Sequence, residues 1–224
     1  MSVLTLTNVS KTYEHGEASV QALRNVNFSI DAGEVILIMG PSGAGKSTFL
    51  TTAGGLLSPT SGTVQVEGQE ISRLSPKERD ALRLHKIGFI LQAYNLVPYL
   101  TISEQFKLVD HVKKEGNLSA DDLQALLAQL DISNLVNKYP QELSGGQQQR
   151  AAIARALYAD PAVIMADEPT ASLDSERVAE VGQLFKDLAK QRQKAIILVT
   201  HDDRLTKYAD HIYDMLDGRL TKRQ

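Results

Sequence analysis

The sequence contains no cysteine and no tryptophan. Without a thiol, the chain forms no disulfide, no thiolate metal site and no cysteine nucleophile. It also has no basic excess: 24 Lys and Arg stand against 27 Asp and Glu, a net charge of −3. Proteins that coat nucleic acid carry the opposite balance, so no nucleic-acid partner is expected. Long apolar runs are missing too. Val35–Met39 and Ala195–Val199, the longest, fall far short of the roughly 18 residues that span a bilayer. The opening stretch MSVLTLTNVSKTY has no basic region before an apolar core, so no signal peptide is expected. The chain is therefore expected to be soluble and cytosolic, and to reach a membrane only through a partner.

What remains is an ordinary globular composition, 42% hydrophobic and 23% charged over 224 residues. A chain of this size buries about 70–75% of its unfolded surface without staples. Leu4 and Leu6 alternate with threonines, and Val26, Phe28 and Ile30 alternate with polar residues. Val64 and Val66 continue the pattern up to Gly68. This period of two predicts half-exposed antiparallel strands. Three other runs, Val35–Met39, 163–166 and Ala195–Val199, are apolar without alternation. They suit a parallel sheet covered by helices on both faces. Each run ends in polar residues: the glycine-rich stretch from Gly40, the pair Asp167 and Glu168, and the pair Thr200 and His201. Ligands of open α/β sheets bind beyond the carboxyl ends of the strands, so three such ends predict one shared site.

Helix signals are local and clear. Ser75, Pro76 and Glu78 form a capping box with proline at the first helical position. Ser119 and Asp122 repeat that spacing ahead of an apolar stripe, Leu123, Leu126, Leu127 and Leu130. Val178, Val181, Phe185 and Leu188 form a second stripe, read as core. Residues 93–158 show no strand run. They are expected to form a helical lobe inserted into the α/β core made by 1–92 and 159–224, within a single domain.

Gly40, Pro41, Ser42, Gly43, Ala44, Gly45, Lys46, Ser47 and Thr48 follow an apolar strand and open a helix. This is a phosphate-binding P-loop in its required context. Glycines let backbone N–H groups converge on phosphate oxygens, and the helix N-terminus adds partial positive charge. Lys46 brings a full charge to the β- and γ-phosphates, and the Ser47 hydroxyl can ligate Mg²⁺. Asp167, just past a buried strand, can hold Mg²⁺ directly or through water, and Glu168 can polarise an attacking water. These residues predict a Mg²⁺-dependent nucleotidase. Further along, Ser144, Gly145, Gly146 and Gln147 precede a helix. The spacing of Ser144 and Gln147 reads either as a helix cap or as a second anion site, one that serves the nucleotide of a second subunit.

The stretch LSGGQ, with Ser144 through Gln147, resembles the signature of the ABC (ATP-binding cassette) ATPases. The likeness covers the whole chain in order. Tyr13 stands where the family has its adenine-stacking aromatic, residues 40–48 match Walker A, and Gln92 matches the Q-loop glutamine. Residues 163–168 match Walker B, Ala171, Ser172, Leu173 and Asp174 match the D-loop, and His201 the switch histidine. The resemblance implies a RecA-like parallel-sheet core with an N-terminal antiparallel β subdomain and an inserted helical lobe. It implies two copies sandwiching two ATP, each between one Walker A loop and the other copy's signature. Ser47, Gln92 and Asp167 would arrange Mg²⁺, Glu168 would orient water, and His201 would contact the γ-phosphate.

Within the family the chain resembles the MacB/LolD/FtsE-like branch, on residues 139–143, 166–170 and 95–98. Residues 49–56 and 86–92 look closest to haem-efflux (HrtBA-type) ATPases. Ala171 stands where the branch commonly has glycine. The resemblance implies an ATPase on the cytoplasmic face of the membrane, powering a separate FtsX-like permease for export, with haem as the cargo. Peptide detoxification, lipoprotein release and FtsE-like regulation at the division site are the alternatives it leaves open. His15, His85, His111, His201 and His211 are scattered, and none is read as a haem ligand.

Overall fold

The computed structural model describes residues 2–15 and 18–223. Two strands, β1 (Ser2–His15) and β2 (Ala18–Asp31), pair antiparallel. After β3 (Val35–Met39) and helix α1 (Lys46–Ala53) come β4 (Ser61–Val66) and β5 (Gln69–Glu70). β2, β1, β4 and β5 form a four-stranded antiparallel sheet in that order. The alternating residues Leu4, Leu6, Val26, Phe28, Ile30, Val64 and Val66 are all buried, as their period of two predicts.

Next follow α2 (Pro76–Lys86), β6 (Ile87–Ile90), α3 (Ile102–Val112), α4 (Ala120–Gln129) and α5 (Gly145–Tyr158). The chain closes with β7 (Val163–Asp167), α6 (Ser175–Arg192), β8 (Ala195–Val199), β9 (His211–Leu216) and β10 (Arg219–Lys222). The second sheet has the order β10-β9-β3-β8-β7-β6. It is parallel from β9 to β6, with β10 antiparallel at one edge. The three unalternating runs are its centre, and the second of them reaches one residue further than the apolar run, to Asp167.

The reason for the missing alternation is visible in the core. Val35, Leu37 and Met39 point into one apolar cluster, while Ile36 and Ile38 point into another. Ile196 and Leu198 divide from Ala195, Ile197 and Val199 in the same way. Both faces of the sheet are covered, so every position must be apolar. One cluster joins the sheet to Phe106 of α3, Leu126 and Leu127 of α4 and Phe185 of α6. The other lies toward the antiparallel sheet and contains Phe49 of α1. Phe49 meets Phe28 edge to face at 5.2 Å, a contact worth about 0.5–1.5 kcal/mol beyond area burial. It fixes α1, and with it the loop that precedes α1.

The helices begin where their caps stand. Ser75, Thr101 and Ser144 each form a complete capping box, and Ser119 and Asp174 cap α4 and α6. The stretch between β6 and β7 holds α3, α4 and α5 and no strand. Four strands go beyond the sequence reading, and the first of them, β5, is only two residues long. β6 follows α2 with no intervening residue, so no turn signal marks it. β10 at the sheet edge and β9 next to it mix polar and apolar residues, which weakens the pattern.

Candidate active site

β8 lies between β3 and β7 in the sheet, so the carboxyl ends of these three strands are adjacent. A cavity of about 580 Å³ opens over them. It is lined by Gly40, Pro41, Ser42, Gly43, Gly45, Lys46, Ser47, Thr48, Gln92, Asp167, Glu168 and His201, with Ala22 and Ala171. Ala44 is buried and does not line it. The three polar strand ends thus meet in one place.

Gly45 ends the loop with φ +103°, and a Cβ there would lie 2.4 Å from the carbonyl oxygen of Ala22. Only glycine fits this approach of loop backbone to β2. Immediately after it, the Lys46 ammonium donates to the carbonyl oxygens of Gly40 (2.7 Å) and Pro41 (2.9 Å). The lysine is folded back over its own loop, so its charge sits against the loop's first two carbonyl oxygens. The Ser47 hydroxyl donates to Asp167 Oδ2 at 2.7 Å, bridging α1 and β7. Burial pushes the Asp167 carboxyl above the usual carboxylate range, and neighbouring Glu168 adds to this. The Ser47 hydrogen bond and the Lys46 charge pull the other way.

Glu168 adopts φ +50°, a left-handed conformation uncommon for a non-glycine residue. Its N–H donates to Val199 O at 2.8 Å, and its side chain turns across β8. Both carboxylate oxygens are engaged. Oε2 accepts from the Thr200 hydroxyl at 2.7 Å, and Oε1 lies 2.8 Å from His201 Nδ1. The Glu168 side chain is sheltered at 12% exposure while that of His201 is 77% exposed. A protected carboxylate with a histidine at the cavity mouth can accept a proton from water and present a second polar group to a phosphate.

Tyr13, the stretch Ser144 to Gln147, and Asp174 lie apart from the cavity lining. Tyr13 is on β1 opposite Val20 of β2, with the Lys11 ammonium 5.4 Å from its ring centre. Ser144, Gly145, Gly146 and Gln147 lie at the start of α5. There the Ser144 hydroxyl accepts from the Gln147 N–H at 3.3 Å, and Gln147 Oε1 accepts from the Ser144 N–H at 2.9 Å. The cap reading is realised, and the exposed helix end leaves its N–H groups facing outward. Asp174 caps α6 by accepting from the Arg177 N–H at 3.0 Å.

Sequence reasoning gave no role to three residues that the fold recruits. Thr200 holds Glu168 but passed as a polar strand end. Gln149 is 2% exposed, although it stands in a run of glutamines that reads as surface. Arg155 of α5 donates to the carbonyl oxygens of Asn95 (2.5 Å) and Tyr94 (3.2 Å), fixing the chain just past Gln92. Its burial pulls the guanidinium below its ordinary pKa.

Residues 23–171 match the family model described as ABC transporter. A Staphylococcus haemolyticus protein named "Putative hemin import ATP-binding protein HrtA" is 44% identical over 223 residues, covering 97% of this chain and 98% of the relative. A Methanocaldococcus jannaschii protein, "Uncharacterized ABC transporter ATP-binding protein MJ0796", is 41% identical over 228 residues, covering 99% and 97%. Among solved structures, the dimeric MJ0796 cassette superimposes with a TM-score of 0.92 at 39% identity, covering 99% of this chain and 98% of that one. A dimeric post-hydrolysis state of MJ0796 bound to ADP and Pi gives 0.90 at 40% identity, with the same coverage.

Proposed function

The chain belongs to the ABC transporter family and is an ATP-binding ATPase, and from that premise we propose that it powers a separate FtsX-like permease that exports haem. The observation that carries the ATPase site is the single cavity joining Lys46 and Ser47 to Asp167, Glu168 and His201. Lys46 and the backbone N–H groups of the loop 40–48, which Pro41 alone lacks, hold the phosphates, and Tyr13 stacks on adenine. Ser47, Gln92 and Asp167 hold Mg²⁺. The Ser47 and Asp167 oxygens stand 2.7 Å apart in the same cavity as Gln92, a hard-oxygen donor set that suits this ion. Bound there, Mg²⁺ supplies charge neutralisation to the phosphates. Glu168 orients the attacking water and takes its proton, and His201 steadies the γ-phosphate as charge builds on it.

Two copies work together. The exposed start of α5, with Ser144, Gly145, Gly146 and Gln147, meets the γ-phosphate bound to the second copy, and Asp174 lies at the same interface. The dimeric state of the similar MJ0796 cassettes supports this pairing. Loss of the γ-phosphate opens the pair. No helix among the described residues is long and apolar enough to cross a membrane. In this reading the motor acts from the cytoplasmic face through its permease. The lobe of residues 93–158, where Tyr99 is 86% exposed, receives the permease.

Haem is the proposed cargo because the chain resembles haem-efflux ATPases and because the Staphylococcus relatives carry hemin in their names. Those names give import, whereas the FtsX-like branch points to export. A strain lacking this ATPase, complemented with wild type or Glu168→Gln, separates the possibilities. Haemin hypersensitivity and haem accumulation rescued only by wild type mean export. Failure to use haemin as an iron source means import. Unchanged haemin responses with a peptide-antibiotic, lipoprotein or division defect assign the motor to another member of the branch.

A further inference from the structure

The segment from Glu168 to Ser172 is gripped at both ends by one buried side chain. Gln149, on α5, donates from Nε2 to the carbonyl oxygen of Glu168 at 2.9 Å. Its Oε1 accepts from the N–H of Ser172 at 3.0 Å. The amide spans the five-residue turn, and at 2% exposure Gln149 is shielded from solvent. Two further contacts tie the same turn to the same region. The Tyr94 hydroxyl lies 2.6 Å from Ser172 Oγ. At Gly146, a Cβ would stand 3.0 Å from the carbonyl oxygen of Ser172, so the first turn of α5 packs backbone to backbone on the turn.

We propose that Gln149 is a positioning residue for ATP hydrolysis: it sets the backbone of Glu168 from the helix whose exposed end meets the second copy's nucleotide. This inference rests on the role given above to Glu168. Glu168 holds a left-handed backbone at φ +50°, a conformation that persists only when its surroundings fix it. Its side chain is fixed from just past the end of β8, by Thr200 and His201. Its carbonyl is fixed from α5 by Gln149. Gln149 lies five residues past Ser144, little more than one helical turn from the α5 cap. Docking of an anion at that cap therefore bears on the turn through a short, rigid path. An amide is required at position 149 because the turn presents an acceptor at one end and a donor at the other.

The test uses purified full-length protein with Gln149→Met, Gln149→Glu, Glu168→Gln and the double variant Gln149→Met/Glu168→Gln. Methionine keeps the length and packing without either hydrogen bond. Glutamate keeps the acceptor for Ser172. The expected result for Gln149→Met is wild-type ATP affinity and a kcat at least tenfold lower. In single-turnover assays the double variant is no slower than Glu168→Gln alone, since both substitutions act on the same group. A merely structural role would lower turnover in the Glu168→Gln background as well. If Gln149→Met does not fold, Gln149→Glu carries the same comparison. A kcat within twofold of wild type, or a loss that adds fully to that of Glu168→Gln, overturns the inference while leaving Glu168 as the base. Wild-type turnover by Glu168→Gln removes the base and this inference together.

Discussion

The Thr200 hydroxyl donates to Glu168 Oε2 at 2.7 Å, joining the end of β8 to the carboxylate at the end of β7. The Thr200 hydroxyl oxygen in turn accepts from the Asp202 N–H at 3.0 Å. Thr200 is fully buried, so its single proton is committed to Glu168. The threonine thereby leaves Oε1 as the oxygen that faces His201. Thr200→Val removes the donor at constant shape. Turnover is expected to fall about tenfold, a share of the roughly 10²–10⁴-fold that a positioned base supplies. Thr200→Ser restores it, and ATP affinity stays constant in both. Steady-state ATPase assays check this, and a fully active Thr200→Val would show that the bond does not orient the base.

Gly45→Ala is expected to damage both fold and site. The new methyl would lie 2.4 Å from Ala22 O at φ +103°. Strain and overpacking together cost about 2–4 kcal/mol. Tm should drop by about 5–15 °C for a chain of this size, with nucleotide binding lost. Calorimetry and binding of a fluorescent ATP analogue measure the two effects.

Asp167→Asn should stabilise the nucleotide-free protein at pH 7 and abolish hydrolysis. The Asp167 pKa is raised by burial, so its ionised form is less favourable in the folded than in the unfolded state. That penalty is present above the folded pKa and disappears as pH falls and the group protonates. Asparagine keeps an acceptor for Ser47 without the charge. Melting curves from pH 7 to pH 4 should show the variant's advantage shrinking with acid. A variant less stable than wild type at pH 7 would contradict this account.

Thr101→Ala tests a cap remote from the chemistry. The Thr101 hydroxyl accepts from the Glu104 N–H at 3.4 Å, while Thr101 N–H donates to Glu104 Oε2 at 2.8 Å. Loss of such a cap costs about 1 kcal/mol, or about 2–4 °C in Tm for a chain this long. The basal kcat of the isolated subunit should be unchanged. A tenfold fall in kcat would instead tie the start of α3 to catalysis.

The parts written into the sequence are those governed by near neighbours in the chain. Ser75 with Glu78, and Ser144 with Gln147, cap helices three residues away. The apolar period reports whether one face or both faces of a strand are covered, which is why 163–166 and Ala195–Val199 were legible as central strands. The P-loop was legible because strand, glycines, Lys46 and helix start are contiguous, and phosphate binding needs them contiguous. Tertiary structure alone decided which strand ends became neighbours, and through that which residues meet. Ser47 and Asp167 are separated by 120 positions, Glu168 and Thr200 by 32, and Gln149 and Glu168 by 19. A hydroxyl or amide carries no local mark of the distant group it will hold, because its partner is chosen by sheet order and helix packing. The sequence therefore determined the chemistry available, and the order β3-β8-β7 decided its arrangement.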